Sequence, residues 1–146
     1  MKQNGTVQIS PNVTIVMDGN GNRYKNSLSQ DGLLYIANYL LGNIEEKINY
    51  IAVGDSKEQT TVNTKRLGNE RFRKPFTDSY LNGLDPYFET FFSVSDANFD
   101  WKEMGLFAHG TEEKDSGILI ARVLVNERKT NSKTASVTWK FRISNP

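Results

Sequence analysis

Ser136-Val137-Thr138-Trp139-Lys140-Phe141-Arg142-Ile143 alternates polar and apolar residues without a break. Successive side chains of an extended strand point to opposite faces. The run therefore places Val137, Trp139, Phe141 and Ile143 on one face and Ser136, Thr138, Lys140 and Arg142 on the other. One face is core, and the other meets solvent or a partner. This reading sets a β-rich fold, and the neighbouring segments extend it.

Trp101-Lys102-Glu103-Met104-Gly105-Leu106-Phe107 mixes large apolar residues with one acid and one glycine. It reads as a strand packed on both faces, with Gly105 at a special backbone position. Ile118 to Val125 is nearly continuous apolar sequence broken by Arg122. Ile48 to Val53 reads as a buried strand ending at Gly54. Tyr87 to Val94 is aromatic and β-prone, with Phe88, Phe92 and Val94 on one face and Tyr87 and Phe91 on the other. Val7 and Ile9, then Val13, Ile15 and Met17, alternate on either side of Pro11-Asn12. Asp18-Gly19-Asn20-Gly21 has the composition of a tight hairpin turn, and Arg23 to Lys25 returns from it. Arg71 to Thr77 is extended, with Pro75 favouring a sheet edge. Asp55 to Lys65 and His109 to Gly117 read as polar loops.

One amphipathic helix is expected at about residues 30–41. Ser29 can cap it and Asp31 suits its first turn. Leu33, Ile36, Ala37, Leu40 and Leu41 recur at helical spacing, and Gly42 suits a left-handed cap. Its apolar face is expected to lie against a sheet. The fold class is thus mainly β: a single β-sandwich or barrel-like domain over residues 1–146 with one helix packed on it. Residues 1–10 read as an extended N-terminal arm.

Composition narrows the function. The chain has 146 residues, a formal net charge of +1, one histidine and no cysteine. Disulfides, thiolate metal sites and a cysteine nucleophile are excluded. Met1-Lys2-Gln3-Asn4 leads into polar sequence rather than the apolar run of a signal peptide. No window approaches the roughly 20 apolar residues of a membrane span. A basic cluster at Lys65, Arg66, Arg71, Arg73 and Lys74 is interrupted by Glu70, a weak case for nucleic acid. His109 sits beside Gly110 in a polar loop, with no nucleophile elbow nearby. Asp18-Gly19-Asn20-Gly21-Asn22 begins like a calcium loop, but Arg23 stands where glycine is needed and Ser29 where glutamate is needed.

Glu70, Glu89 and Glu103 are carboxylates of the type that hydrolyses glycosides. Glu70 and Glu103 lie among apolar residues, and the preferred reading is structural: pairing with Arg73 or Arg122. Tyr80, Tyr87 and Trp101 are candidate exposed contact residues, whereas Trp139 belongs to the core. No residue is assigned a catalytic, cofactor-binding or metal-ligating role, and no cofactor is expected.

A longer series carries a resemblance to a known group. It runs through Gly32-Leu33-Leu34-Tyr35-Ile36-Ala37, Leu40-Leu41-Gly42, Tyr50-Ile51-Ala52-Val53-Gly54 and Leu67-Gly68-Asn69-Glu70-Arg71-Phe72-Arg73-Lys74-Pro75. Trp101 to Phe107, Ile120-Ala121-Arg122-Val123 and Val137-Thr138-Trp139 complete it. In order and spacing this resembles small structural proteins of tailed bacteriophages and prophages associated with the tail, baseplate or fibre attachment. The resemblance implies a non-enzymatic virion component, assembled in the host cytoplasm, that oligomerises and docks to other virion structural proteins. It implies neither a nucleic-acid nor a membrane partner. The alternative is a receptor- or glycan-binding module on the virion, using exposed aromatics and the Asp55–Arg66 and His109–Gly117 loops. A tail-borne glycan hydrolase using Glu70 or Glu103 is the third expectation.

Overall fold

In the computed structural model, which describes residues 7–145, two antiparallel sheets of five strands stack over a shared core. The chain runs β1 (Gln8–Met17), β2 (Asn20–Lys25), β3 (Ser27–Leu28), α1 (Gln30–Leu40), β4 (Ile48–Gly54), β5 (Glu70–Pro75), β6 (Asp78–Asn82), β7 (Asp85–Phe92), β8 (Asp100–Ala108), β9 (Ile118–Arg128) and β10 (Ala135–Ser144). The first sheet has the order β2-β1-β10-β7-β6 and the second β3-β9-β8-β4-β5. The architecture is a mainly β sandwich, with α1 its one helix among the described residues.

β10 lies at the centre of the first sheet and shows why its alternation is so clean. Val137 pairs with Ile15 and Trp139 with Val13, so all four point into the core. Their outward neighbours Thr138 and Lys140 stay half-exposed. A one-residue slip would turn Trp139 out to water, which fixes the register. The β1–β2 hairpin closes through Asp18 and Gly19, at φ 50° and 76°, the left-handed pair that a two-residue turn requires.

The second sheet is covered on both faces. Met104, Leu106 and Ile120 face the shared core, while Ala52, Leu67, Phe107 and Leu119 form a smaller cluster on the outer face. Leu67 belongs to the loop between β4 and β5, which folds back over the sheet. That is why β8 reads as apolar without alternation. The register shifts between Trp101 and Glu103. Two residues that strict alternation would put on one face therefore separate. Trp101 joins the core between the sheets, and Glu103 faces outward.

Several expectations need correction. Gly105 has no left-handed φ; a Cβ there would meet Leu67 Cδ2 at 2.8 Å. Its requirement is space for the covering loop. Of the extended arm expected at residues 1–10, Gln8 to Ser10 pair with Ser144 to Arg142 in β10. Residues 1–6 lie outside the described residues. β6 lacks an apolar pattern and forms as the exposed edge of the hairpin with β7.

Helix α1 departs furthest from expectation. Ser29 caps it, accepting from Gly32 N at 2.8 Å and donating to Leu119 O at 2.6 Å. Gly42 supplies the left-handed cap at φ 76°. Yet only Gly32 and Tyr35 are buried. Leu33, Leu34, Leu40 and Leu41 are 51%, 59%, 82% and 74% exposed. The helix rests on the start of β9 through Gly32 and turns Leu33, Leu34 and Leu41 to solvent, with Leu40 at the rim of a groove beside it.

Candidate functional site

The two acids singled out in the sequence are both buried, and each meets an arginine. β8 carries Glu103 onto the outer face of the second sheet, where β9 presents Arg122 from the adjoining strand. Glu103 Oε1 accepts from Arg122 Nε at 3.0 Å and from Gly68 N at 2.7 Å. Oε2 accepts from Ser56 N at 2.9 Å and Asn69 N at 2.8 Å. Arg122 Nη2 adds an ion contact at 2.9 Å outside hydrogen-bond alignment. Arg122 Nη1 donates to Glu58 O at 2.8 Å and Thr60 Oγ1 at 2.6 Å. One buried pair thus holds the β4–β5 loop at Ser56, Glu58, Thr60, Gly68 and Asn69.

Glu70 and Arg73 form a second knot beside it. One edge of the guanidinium meets the carboxylate, Nε to Oε2 at 2.9 Å and Nη2 to Oε1 at 2.8 Å. This is the planar bidentate fit that arginine alone provides. Asp115 N donates to Glu70 Oε2 at 3.2 Å, and Arg73 Nη1 donates to Thr111 O, Ser116 O and Ser116 Oγ. The guanidinium lies 4.8 Å over the Phe107 ring. Arg73 therefore draws the β8–β9 loop down over the sheet. His109, at φ 54° and exposed, belongs to this loop and touches neither acid through any hydrogen bond described.

Chemistry at these acids is constrained by that geometry. All four carboxylate oxygens are engaged by the chain's own donors. Glu70 is 3% exposed and Glu103 fully buried, and neither lines the cleft of about 490 Å³ bounded by Arg122, Thr60 and Leu28. Their pairing with Arg73 and Arg122 had a sequence signal, an acid within a buried-looking strand. The contribution of loop backbone donors at Ser56, Gly68 and Asn69 had none.

The three candidate contact residues separate. Trp101 is fully buried, donates from Nε1 to Ala97 O at 2.9 Å and packs 4.9 Å from the Phe92 ring. Its assignment as an exposed contact is corrected. Tyr80 and Tyr87 do meet, as cross-strand partners on the outer face of the first sheet, with rings stacked at 5.3 Å and 14°. The Tyr80 hydroxyl donates to Glu89 Oε1 at 2.6 Å. That hydrogen bond is the main cause of a Tyr80 pKa pushed up to about 12. Lys140 lies 5.8 Å from the Tyr87 ring. Arg23, Thr14 and Thr138 continue this uncovered polar face.

The basic cluster does not form a free patch. Lys65 pairs with Asp31, Arg71 with Asp55, Arg73 with Glu70 and Lys74 with Asp96. No group of three metal-ligating side chains occurs among the described residues. The clearest concave apolar feature is a groove of about 390 Å³ beside α1, lined by Tyr35, Ile36, Tyr39, Leu40, Ile48 and Phe88. Sequence reasoning missed it because its walls come from the helix and from both sheets.

Comparison with protein-family models, with curated proteins and with solved structures finds no match for this chain.

Proposed function

We propose that this chain is a non-enzymatic structural component of a bacteriophage virion, associated with the tail, baseplate or fibre, that acts by oligomerising and docking to neighbouring virion proteins. One observation carries the reading. The groups suited to chemistry, Glu70 and Glu103, are spent holding loops onto the second sheet, while four leucines of a short helix face solvent. A protein built this way offers adhesive surface rather than a reacting centre. The ordered series from Gly32 to Trp139, with its resemblance to phage structural proteins, supplies the setting.

The test is mass spectrometry of gradient-purified particles released by inducing the host. The chain is expected in the particle fraction at several copies per particle. Finding it only in the soluble lysate, with particles lacking it, overturns the reading.

A second reading, a receptor- or glycan-binding module, rests on the Tyr80–Tyr87 pair of the first sheet. Aromatic faces beside polar groups suit sugar rings, but Tyr87 already lies between Tyr80 and Lys140. Glycan-array binding lost in Tyr80→Ala would favour it.

A further inference from the structure

We propose that helix α1 is a self-association surface, on which a second copy of this chain seats the same helix. The stripe is Leu33, Leu34, Ala37, Leu40 and Leu41, spaced i, i+1, i+4, i+7 and i+8. At 100° per residue these five span an arc of about 120°, the width of a core-facing helix surface. Gly32 and Tyr35, on the opposite side, anchor the helix to the body, and Ile36 packs at the edge of the stripe. A Cβ on Gly32 would lie 2.2 Å from Ile120 O, so the anchored side cannot rotate to bury the leucines. The fold fixes the stripe outward.

Area and charge point to the occupant. The exposed fractions along the helix correspond to an apolar patch on the order of 500–600 Å². Two copies joined face to face bury at most roughly twice that, the lower edge of what a specific interface requires. No charged residue lies within the stripe, and the flanking Asp31 is tied to Lys65. Nothing therefore orients a charged partner, and the surface matches an apolar stripe of its own length. The chain carries one such stripe among its described residues. Ala37, at the centre, lets two backbones approach. An antiparallel seating about Ala37 sets Leu33 and Leu34 of one copy against Leu40 and Leu41 of the other. It also opposes the two helix dipoles. The self-association does not depend on whether the chain belongs to a particle.

Light scattering after size exclusion tests it on the full chain. The wild type is expected at twice the 16.6 kDa of one chain, or a higher multiple. Leu40→Glu is expected to raise the dissociation constant at least ~100-fold by forcing a charge into the apolar contact. Leu40 is mostly exposed, so the far-UV spectrum should not change. Because the chain lacks cysteine, Ala37→Cys gives a second readout. Mild oxidation should cross-link it at least ~10-fold faster than Leu84→Cys on the β6–β7 hairpin, since disulfides form only between closely placed Cα atoms. A wild type monomeric at about 100 µM, weaker than a specific micromolar contact, overturns the proposal and assigns the stripe to a different partner. So does an assembly unchanged by Leu40→Glu, or equal cross-linking at the two positions.

Discussion

Replacing Glu103 with glutamine tests whether one carboxylate organises the outer face of the second sheet. The substitution keeps volume and removes charge. Arg122, 3% exposed, then keeps its positive charge with no anion. Breaking a buried pair from one side typically costs ~3–5 kcal/mol. Glutamine keeps one acceptor oxygen where the carboxylate had two, and its amide nitrogen meets either Arg122 and Gly68 or the Ser56 and Asn69 amides. At least one buried N–H is left unsatisfied, and the cost belongs at the upper part of that range. At roughly 3 °C per kcal/mol for a chain of this size, the midpoint of thermal unfolding falls about 10–15 °C. Urea denaturation measures the free energy, and amide exchange at Ser56, Gly68 and Asn69 localises it. The double variant Glu103→Gln, Arg122→Met should recover part of the loss, because the stranded charge is gone. A single-variant cost below about 1 kcal/mol, or unchanged exchange at those three amides, refutes the reasoning.

Other consequences are equally direct. Gly32→Ala should destabilise by more than ~3 kcal/mol by urea titration, against the usual gain of ~1 kcal/mol for that change in an exposed helix, because the new methyl meets Ile120 backbone at 2.2 Å. Gly105→Ala should cost less, ~1–2 kcal/mol, since it strikes the Leu67 side chain, and Leu67→Ala in the same chain should relieve it. Arg73→Lys should free the β8–β9 loop, read as faster proteolysis between residues 109 and 117, because an ammonium cannot reproduce the bidentate bond to Glu70 and the three bonds to Thr111 and Ser116. Burial, and then the hydrogen bond to Glu127, push the Tyr24 hydroxyl up to about 12 from 10.0. The folded form holds that proton where the unfolded form loses it, so stability should fall as pH rises from 10 toward 12, and Tyr24→Phe should flatten that slope in denaturant titrations.

The fold was legible where a strand has one wet face. β10 alternates because Thr138 and Lys140 remain partly exposed opposite Val137 and Trp139, and β1 does the same. Turn chemistry was legible too, since Asp18-Gly19 needs the left-handed backbone it adopts. β6 left no trace. All five of its residues are exposed, and main-chain pairing with β7 and the contacts of Tyr80 with Tyr87 and Glu89 make it a strand. Trp101 was misplaced because a register shift breaks the period-two rule at Glu103, and no residue there announces the shift. For the site, the residue types Glu70, Glu103, Arg73 and Arg122 were visible, and their pairing depends on neighbouring strands and one i,i+3 contact. The loop amides that complete Glu103 come from residues 34 to 47 positions away, beyond any local pattern.

Helix α1 carries a different lesson about periodicity. Apolar residues at helical spacing say that a face must be covered and do not say by what. The ordinary inference assigns the cover to the same chain, and here geometry forbids it. Ser29 bonds the helix start to β9, and Gly32 rests against the Ile120 carbonyl. With its N-terminus fixed at that distance, the 11-residue helix can present only one side to the sheets. That side carries Gly32 and Tyr35, while Leu40 and Leu41 point to water. A leucine costs roughly 1.5–3 kcal/mol when left exposed rather than buried. Keeping several exposed on so short a helix gives up more stability than a marginally stable domain spares without return. The same strand-to-helix contact that denies the leucines an internal partner fixes the helix backbone with them outward, so binding need not reorient the helix. Gly32 is therefore what makes the leucine stripe a preformed surface.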